Sequence, residues 1–267
     1  MYILIGIIVI IALGYLFFAR KQKTVIPNNL ANSIYRNLLN EHVDYYSRLS
    51  PDEKTRFEKL LSEFLADINI EGVGTEVTDL DSVLIASSAI IPIFGLGNWK
   101  YKNLTNVILY PDTFDKEFQF EGENRNILGM VGSGYMNGQM LLSRAALDKG
   151  FSKSSGKENT AIHEFVHLLD KSDGATDGVP ENLMAHQYAI PWLSMMHQEM
   201  HRIEQGKSDI SPYALTNEAE FLAVASEYFF EKPDKFKHMH PALYDQLSLI
   251  FNQAPSDSTE LSNAIKS

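Results

Sequence analysis

Residues 158–169 read ENTAIHEFVHLL, and the pentapeptide His163-Glu164-Phe165-Val166-His167 inside them decides how the rest of the chain is read. Ile162, Phe165, Val166 and Leu169 recur at i, i+3, i+4 and i+7, an apolar stripe that predicts a helix. On that helix the two histidines stand one turn apart on one face, where their ring nitrogens can converge on a single metal. Glu164 sits next to the first histidine. It points toward the same site but lies too far round the helix to be a third ligand. Two imidazole ligands and a carboxylate beside a bound water are what a zinc hydrolase requires. Ser154 or Ser155 is placed to cap the helix start, and Gly174 follows its end. The bland alternative is an amphipathic core helix with two satisfied histidines. The placement of the motif on a strongly periodic helix favours the metal.

A zinc site of this kind needs a third protein ligand and an open position for water. The chain has no cysteine, so that ligand is His, Asp or Glu. Residues 216–231 (TNEAEFLAVASEYFFE) form a second helical pattern carrying Glu218, Glu220, Glu227 and Glu231. Glu220 and Glu227 are seven apart and share one face, with the small residues Ala223 and Val224 between them, which suits close packing against another helix. Glu218, nearer the start, suits an offset to the helix dipole. Spacing alone leaves Glu220 and Glu227 level.

Other polar groupings read as structural. His197 and His201 are also i, i+4, but Glu199 lies midway between them, so the set reads as a solvated helix face. His238 and His240, before Pro241, read as surface residues. Asp170, Asp173 and Asp177 with Gly174 and Gly178 lack the alternating spacing and terminal Glu of a calcium loop. They read as a turn closing the helix, with Asp170 placed to support His163 or His167. The Gly-rich stretch Gly129 to Gly138 lacks the features of a phosphate loop and reads as a turn between strands.

Several stretches, in order along the chain, resemble the Mlc titration factor A family of zinc metallopeptidases. They are FLADINIEGVGTEVTD (64–79), VLIASSAIIPIFGLG (83–97) with WKY (99–101), VILYPDTF (107–114), MLLSRAAL (140–147), HEFVHLLD (163–170), DGVP (177–180) and PYALTNEAEFLAVASEYFFEKP (212–233). The resemblance covers roughly residues 30–252. It implies zinc held by His163, His167 and Glu220, with Glu164 as the catalytic glutamate. It thereby separates Glu220 from Glu227, which becomes a group orienting a histidine. The family pattern A-E-x-F-A-V-x-S-E is met from Ala219 to Glu227, with Phe221 and Leu222 shifted by one. The arrangement is similar to that of the anthrax lethal factor protease domain, which implies that Tyr213 stabilises the transition state.

The net charge of −11 argues against nucleic acid, whose phosphates demand clustered Lys and Arg. Tyr2 to Ala19 carries no charge, and as a helix would span about 27 Å, close to the roughly 30 Å hydrocarbon core of a bilayer. Arg20, Lys21 and Lys23 follow at once, which places that end in the cytoplasm. The expected organisation is an N-terminal transmembrane anchor with its basic flank (1–23), a linker (24–29), one α+β zincin-like metallopeptidase domain (30–255) and a polar tail (256–267). The domain is expected to combine two helices over 30–67, short strands over 68–78, a helix over 80–94, a strand over 103–110, two strands over 117–143, the active-site helix and the following glutamate-bearing helix. The expected location is a bacterial cytoplasmic membrane, single-pass, with the catalytic domain inside.

The expected function is hydrolysis of peptide bonds by a zinc-activated water, with Glu164 as general base and a peptide adding to an edge strand near residues 131–143. A different class is a regulatory protein that sequesters a partner such as a transcription repressor, as the family's name implies. A further one is a non-peptidase zinc hydrolase such as an amidase.

Overall fold

The computed structural model describes residues 28–120, 125–132, 137–154, 156–184 and 189–256. The chain divides into two compact units, Met1–Ile34 and Tyr35–Ser267. The described part of the first is the opening of helix α1 (Asn28–His42). Among the described residues no helix is long and apolar enough to cross a membrane. The expected anchor at residues 2–19 lies outside them, as do residues 24–27 and 257–267.

In the second unit the end of α1 is followed by a short helix α2 (Asp44–Ser47), which buries Tyr45 and Tyr46 and breaks the expected pair of helices into three. Helix α3 (Pro51–Asp67) starts where the sequence predicts. The Ser50 side chain accepts from the Glu53 N–H while the Glu53 carboxylate accepts from the Ser50 N–H, and Pro51 supplies a preset φ in the first turn. One strand, β1 (Asn69–Gly72), forms within residues 68–78 rather than several. Gly74 turns the chain at φ +71° and Thr78 already caps the next helix, so no length remains for a second.

Helix α4 (Asp79–Ile93) is apolar on nearly every face and is buried accordingly. Its buried Asp81 completes a capping box with Thr78 and accepts from Arg144 at 2.9 and 2.8 Å, so the charge enters the interior paired. Strands β2 (Asn106–Tyr110), β3 (Gly129–Val131) and β4 (Gln139–Ser143) join β1 in one sheet of order β1-β2-β4-β3. The first three are mutually parallel and β3 is antiparallel to β4. Val107 and Leu109 pair in register with Met140 and Leu142 and enter the main core. On the opposite face Leu141 packs with Tyr110 and Phe114 in a second cluster. Because both faces are covered, β2 shows only weak alternation in sequence.

The remaining helices are α5 (Arg144–Gly150), α6 (Thr160–Asp170), α7 (Ala189–Glu204), α8 (Glu218–Glu231), α9 (Pro233–Met239) and α10 (Pro241–Phe251). Helix α6 is the hub, in contact with α8, α4, α5 and the edge strand β3. The outcome is an α+β domain with a small mixed sheet, as the sequence predicts.

Candidate metal centre

Helix α6 buries Ala161, Ile162, Phe165, Val166 and Leu169, so the predicted stripe is the core face. Phe165 packs against the rings of Phe64 and Tyr101 at 5.9 and 5.1 Å between centroids. The cap is Asn159 rather than Ser154 or Ser155. Its side-chain oxygen accepts from the Ile162 N–H at 3.2 Å, and its backbone carbonyl accepts from the His163 N–H at 3.0 Å. Asn159 is itself gripped by α8. Its backbone N–H donates to Glu227 and its side-chain amide donates to Glu231 at 2.9 Å. Fully buried Ala223, beside Glu220 and Glu227 on one face of α8, lets the two helices close up.

That closure brings His163, His167 and Glu220 together. His163 Nε2 lies 3.0 Å from His167 Nε2 and 2.9 Å from Glu220 Oε2, and His167 Nε2 lies 3.5 Å from the same oxygen. The three form the one metal-capable group of ligating side chains among the described residues. Glu220 begins in the first turn of α8, where Asn217 caps its N–H at 2.9 Å. Glu227 lies outside the triangle. Its Oε1 accepts from His163 Nδ1 at 2.8 Å, so that a neutral His163 held this way would turn its Nε2 lone pair toward the other two groups. Burial works against charge on His163, but the hydrogen bonds to Glu220 and Glu227 outweigh it and raise its pKa. Glu220 is lowered despite its own desolvation, because both imidazoles face it.

Glu164 is only 7% exposed and stands against the edge strand. Burial raises its pKa, with Glu220 and Glu227 adding to the shift and the histidines opposing it. Tyr213 sits on a 3-10 turn, Pro212–Leu215, whose first N–H groups Ser211 caps. Its ring centroid is 6.0 Å from that of His163 and its side chain is 56% exposed. Desolvation and the neighbouring Glu220, Glu164 and Glu227 raise its pKa, which keeps the phenol protonated and able to donate. His163, Glu164 and Tyr213 line a cleft of about 890 Å³, whose walls include Leu128, Gly129, Lys157, Asp209 and Val224.

The other groupings divide. His197 and His201 are exposed, as the sequence predicts, and lie 3.1 and 3.3 Å from Glu218 and Glu204. Asp173 and Asp177 accept from turn N–H groups of Ala175, Glu181 and Val179. Asp170 accepts from the Gly178 N–H through Oδ2 at 2.9 Å and makes no hydrogen bond to either histidine. His238 is exposed, but His240 is not the surface residue predicted. It is 4% exposed, 2.8 Å from Asp209 and 3.2 Å from Glu199. Residues 139–143 form an interior strand, so the edge beside Glu164 is Gly129–Val131 alone. Asn159, Glu231, Asp209 and His240 were not singled out for the site by the sequence. Glu231 falls at i+11 from Glu220 on the same helical face, a spacing that marks it; Asp209 carries no such signal.

The model of the glucose-regulated metallo-peptidase M90 family matches residues 17–252. An uncharacterized protein of Synechocystis is 28% identical over 83% of this chain and 84% of its own length. A Klebsiella pneumoniae protein named Mlc titration factor A is 28% identical over 78% of this chain and 82% of its own. Its namesake from Escherichia fergusonii is 29% identical over the same shares.

Proposed function

Because the chain belongs to the glucose-regulated metallo-peptidase M90 family, we propose that it is a zinc-dependent peptidase whose metal is held by His163, His167 and Glu220. The observation that carries this is the triangle of donor atoms with edges of 2.9, 3.0 and 3.5 Å. Three ligands at zinc–nitrogen and zinc–oxygen bond lengths in tetrahedral geometry stand roughly 3.3 Å apart, so the donor set fits. Two imidazole nitrogens turned toward one carboxylate oxygen are also a borderline-soft set that suits zinc. Bound zinc supplies a water of near-neutral pKa and a Lewis acid for a peptide carbonyl.

The chain's own residues do the rest. Glu164, its pKa raised by burial, takes the proton of the attacking water and passes it to the leaving amine. The Tyr213 hydroxyl donates to the oxygen that gains negative charge. Glu227 holds the His163 ring in the tautomer that presents Nε2. The outer edge of β3, unpaired among the described residues, offers backbone groups to an extended peptide, and Gly129 lets that strand lie close to Glu164.

Elemental analysis of the purified protein should show near-stoichiometric zinc, lost in His163→Ala and Glu220→Ala. Glu164→Gln should keep the zinc and lose peptide hydrolysis by several orders of magnitude, roughly the 10²–10⁴ of general base catalysis or more. Wild-type hydrolysis by that variant sinks the mechanism. A second reading rests on the relatives named Mlc titration factor A at 28–29% identity: a regulatory protein that sequesters a partner. It predicts tight regulator binding that Glu164→Gln leaves intact, with no peptide cleaved by the wild type. For location we propose a single-pass anchor at residues 2–19 in a bacterial cytoplasmic membrane, with the domain on the cytoplasmic side.

A further inference from the structure

Asp209 is the centre of a polar node that shares the cleft lining with His163, Glu164 and Tyr213. Its Oδ2 accepts from Lys157 Nζ at 2.6 Å and from the Tyr228 hydroxyl at 2.9 Å, and Lys235 Nζ lies 3.1 Å away. Its Oδ1 accepts from His240 Nε2 at 2.8 Å. Its backbone carbonyl accepts from Lys157 as well. Behind His240 stands Glu199, whose Oε1 lies 3.2 Å from Nδ1 without hydrogen-bond alignment and whose Oε2 is paired with Arg202 at 3.3 Å. One carboxylate thus draws donors from the loop before α6, from α8, from α9 and from the residue joining α9 to α10.

Two chain directions meet at this node. Lys157 lies two residues before Asn159, the cap of the helix that carries His163 and Glu164. Asp209 lies two residues before Ser211, the cap of the turn that carries Tyr213. Between them Ile210 is buried in the core, so the segment from Asp209 to Ser211 has little freedom to shift alone. Tyr213 itself is more than half exposed, and its hydroxyl makes no hydrogen bond among the described residues. Beyond the contact of its ring with His163, its placement depends on its own segment.

We propose that Asp209 is a positioning residue for the reaction. By tying the Tyr213 segment to the start of α6 it holds the phenol at a fixed place relative to His163 and Glu164. This rests on the peptidase reading of Tyr213. Paired charges in one node also explain why His240 tolerates burial: a carboxylate faces each of its nitrogens, while Lys157, Lys235 and Arg202 offset the second negative charge.

The test uses full-length zinc-loaded protein and a quenched fluorescent peptide that the wild type cleaves. Asp209→Asn is isosteric but trades the charge-assisted acceptor for an amide. It should lower kcat about tenfold with KM within about twofold, the mark of an interaction made in the transition state. In a Tyr213→Phe background the same change should alter kcat by less than about twofold, because residues that act as a unit are not additive. An equal loss in both backgrounds overturns the proposal. Tyr228→Phe, which removes one donor and keeps the ring, should show the same pattern more weakly, about threefold; it decides the matter if Asp209→Asn does not fold. A readout without turnover separates this inference from the peptidase reading. With 3-fluorotyrosine incorporated, the Tyr213 fluorine signal, assigned by its loss in Tyr213→Phe, should shift in Asp209→Asn. If no peptide is cleaved but the signal shifts, the peptidase reading fails and the positioning stands. An unmoved signal overturns the positioning.

Discussion

A β-carbon at position 129 would lie 2.7 Å from Glu164 Cγ, 2.8 Å from its Oε1 and 3.0 Å from Thr160 Cγ2. Glycine is needed here for close approach, since the edge strand rests directly on the carboxylate that serves as base in the proposed reaction. Gly129→Ala should therefore push Glu164 off its place while leaving the three donor atoms alone. The expected outcome is full zinc content with kcat down by about 10²-fold, the scale of an ångström-sized misplacement. Steady-state kinetics beside elemental analysis checks it, and wild-type turnover would remove the strand's contact from the mechanism. The sequence marked Gly129 only as one end of a Gly-rich turn. His163, Glu164 and His167 were legible because a helix repeats its faces at fixed spacing and a motif rides on that repeat, whereas spacing left Glu220 level with Glu227 and only the family resemblance separated them. Gly129 was not, because its neighbour lies 35 residues away in sequence and only the fold brings it there. His240 failed for the same reason: its partners Asp209 and Glu199 are 31 and 41 residues upstream.

At the scale of elements, α8 does three jobs along one face. Glu220 joins the metal-capable triangle, Glu227 holds His163, and Glu231 holds the cap of α6. The helices themselves were legible from apolar periodicity, but which residue caps α6 was not, because Ser154, Ser155 and Asn159 are all competent and the grip of α8 makes the choice. Glu231 also carries a pH signature. Burial raises its carboxyl to about 7, against the hydrogen bond from Asn159 and the charges of Arg48 and Lys232. It stands at the negative end of the α8 dipole, which disfavours its charge further. The folded value lies above the unfolded one, about 4.3, so this group favours folding while protonated. That contribution fades as pH rises from about 4 to about 7 and is absent above. Glu231→Gln imitates the protonated form and still accepts from Asn159. It should be more stable than wild type at pH 8 by about 1–2 kcal/mol and nearly equal to it at pH 5. Denaturant unfolding at the two pH values measures this, and a variant less stable at pH 8 would show that Glu231 is held as an anion.

The whole molecule adds a question of place that the domain alone does not answer. Residues 2–19 carry no charge, and three basic residues follow within four positions. Eighteen helical residues span about 27 Å, barely the bilayer core, so a spanning helix would stand nearly upright. Within residues 1–23 the basic residues all follow the apolar run, so the bias of basic residues toward the cytoplasm sets the proposed orientation. A catalytic domain on that side also fits the second reading of its function, since a regulator of transcription is cytoplasmic. Substrates on this arrangement would be peptides reaching the inner face of the membrane. Alkaline phosphatase, which needs disulfides and so an oxidising compartment, should be inactive when fused after Lys23. A fluorescent protein fused at the same point should light the cell periphery. Active phosphatase would put the domain outside and would remove an intracellular regulator from consideration, while diffuse fluorescence would show that residues 2–19 do not hold the protein in the membrane.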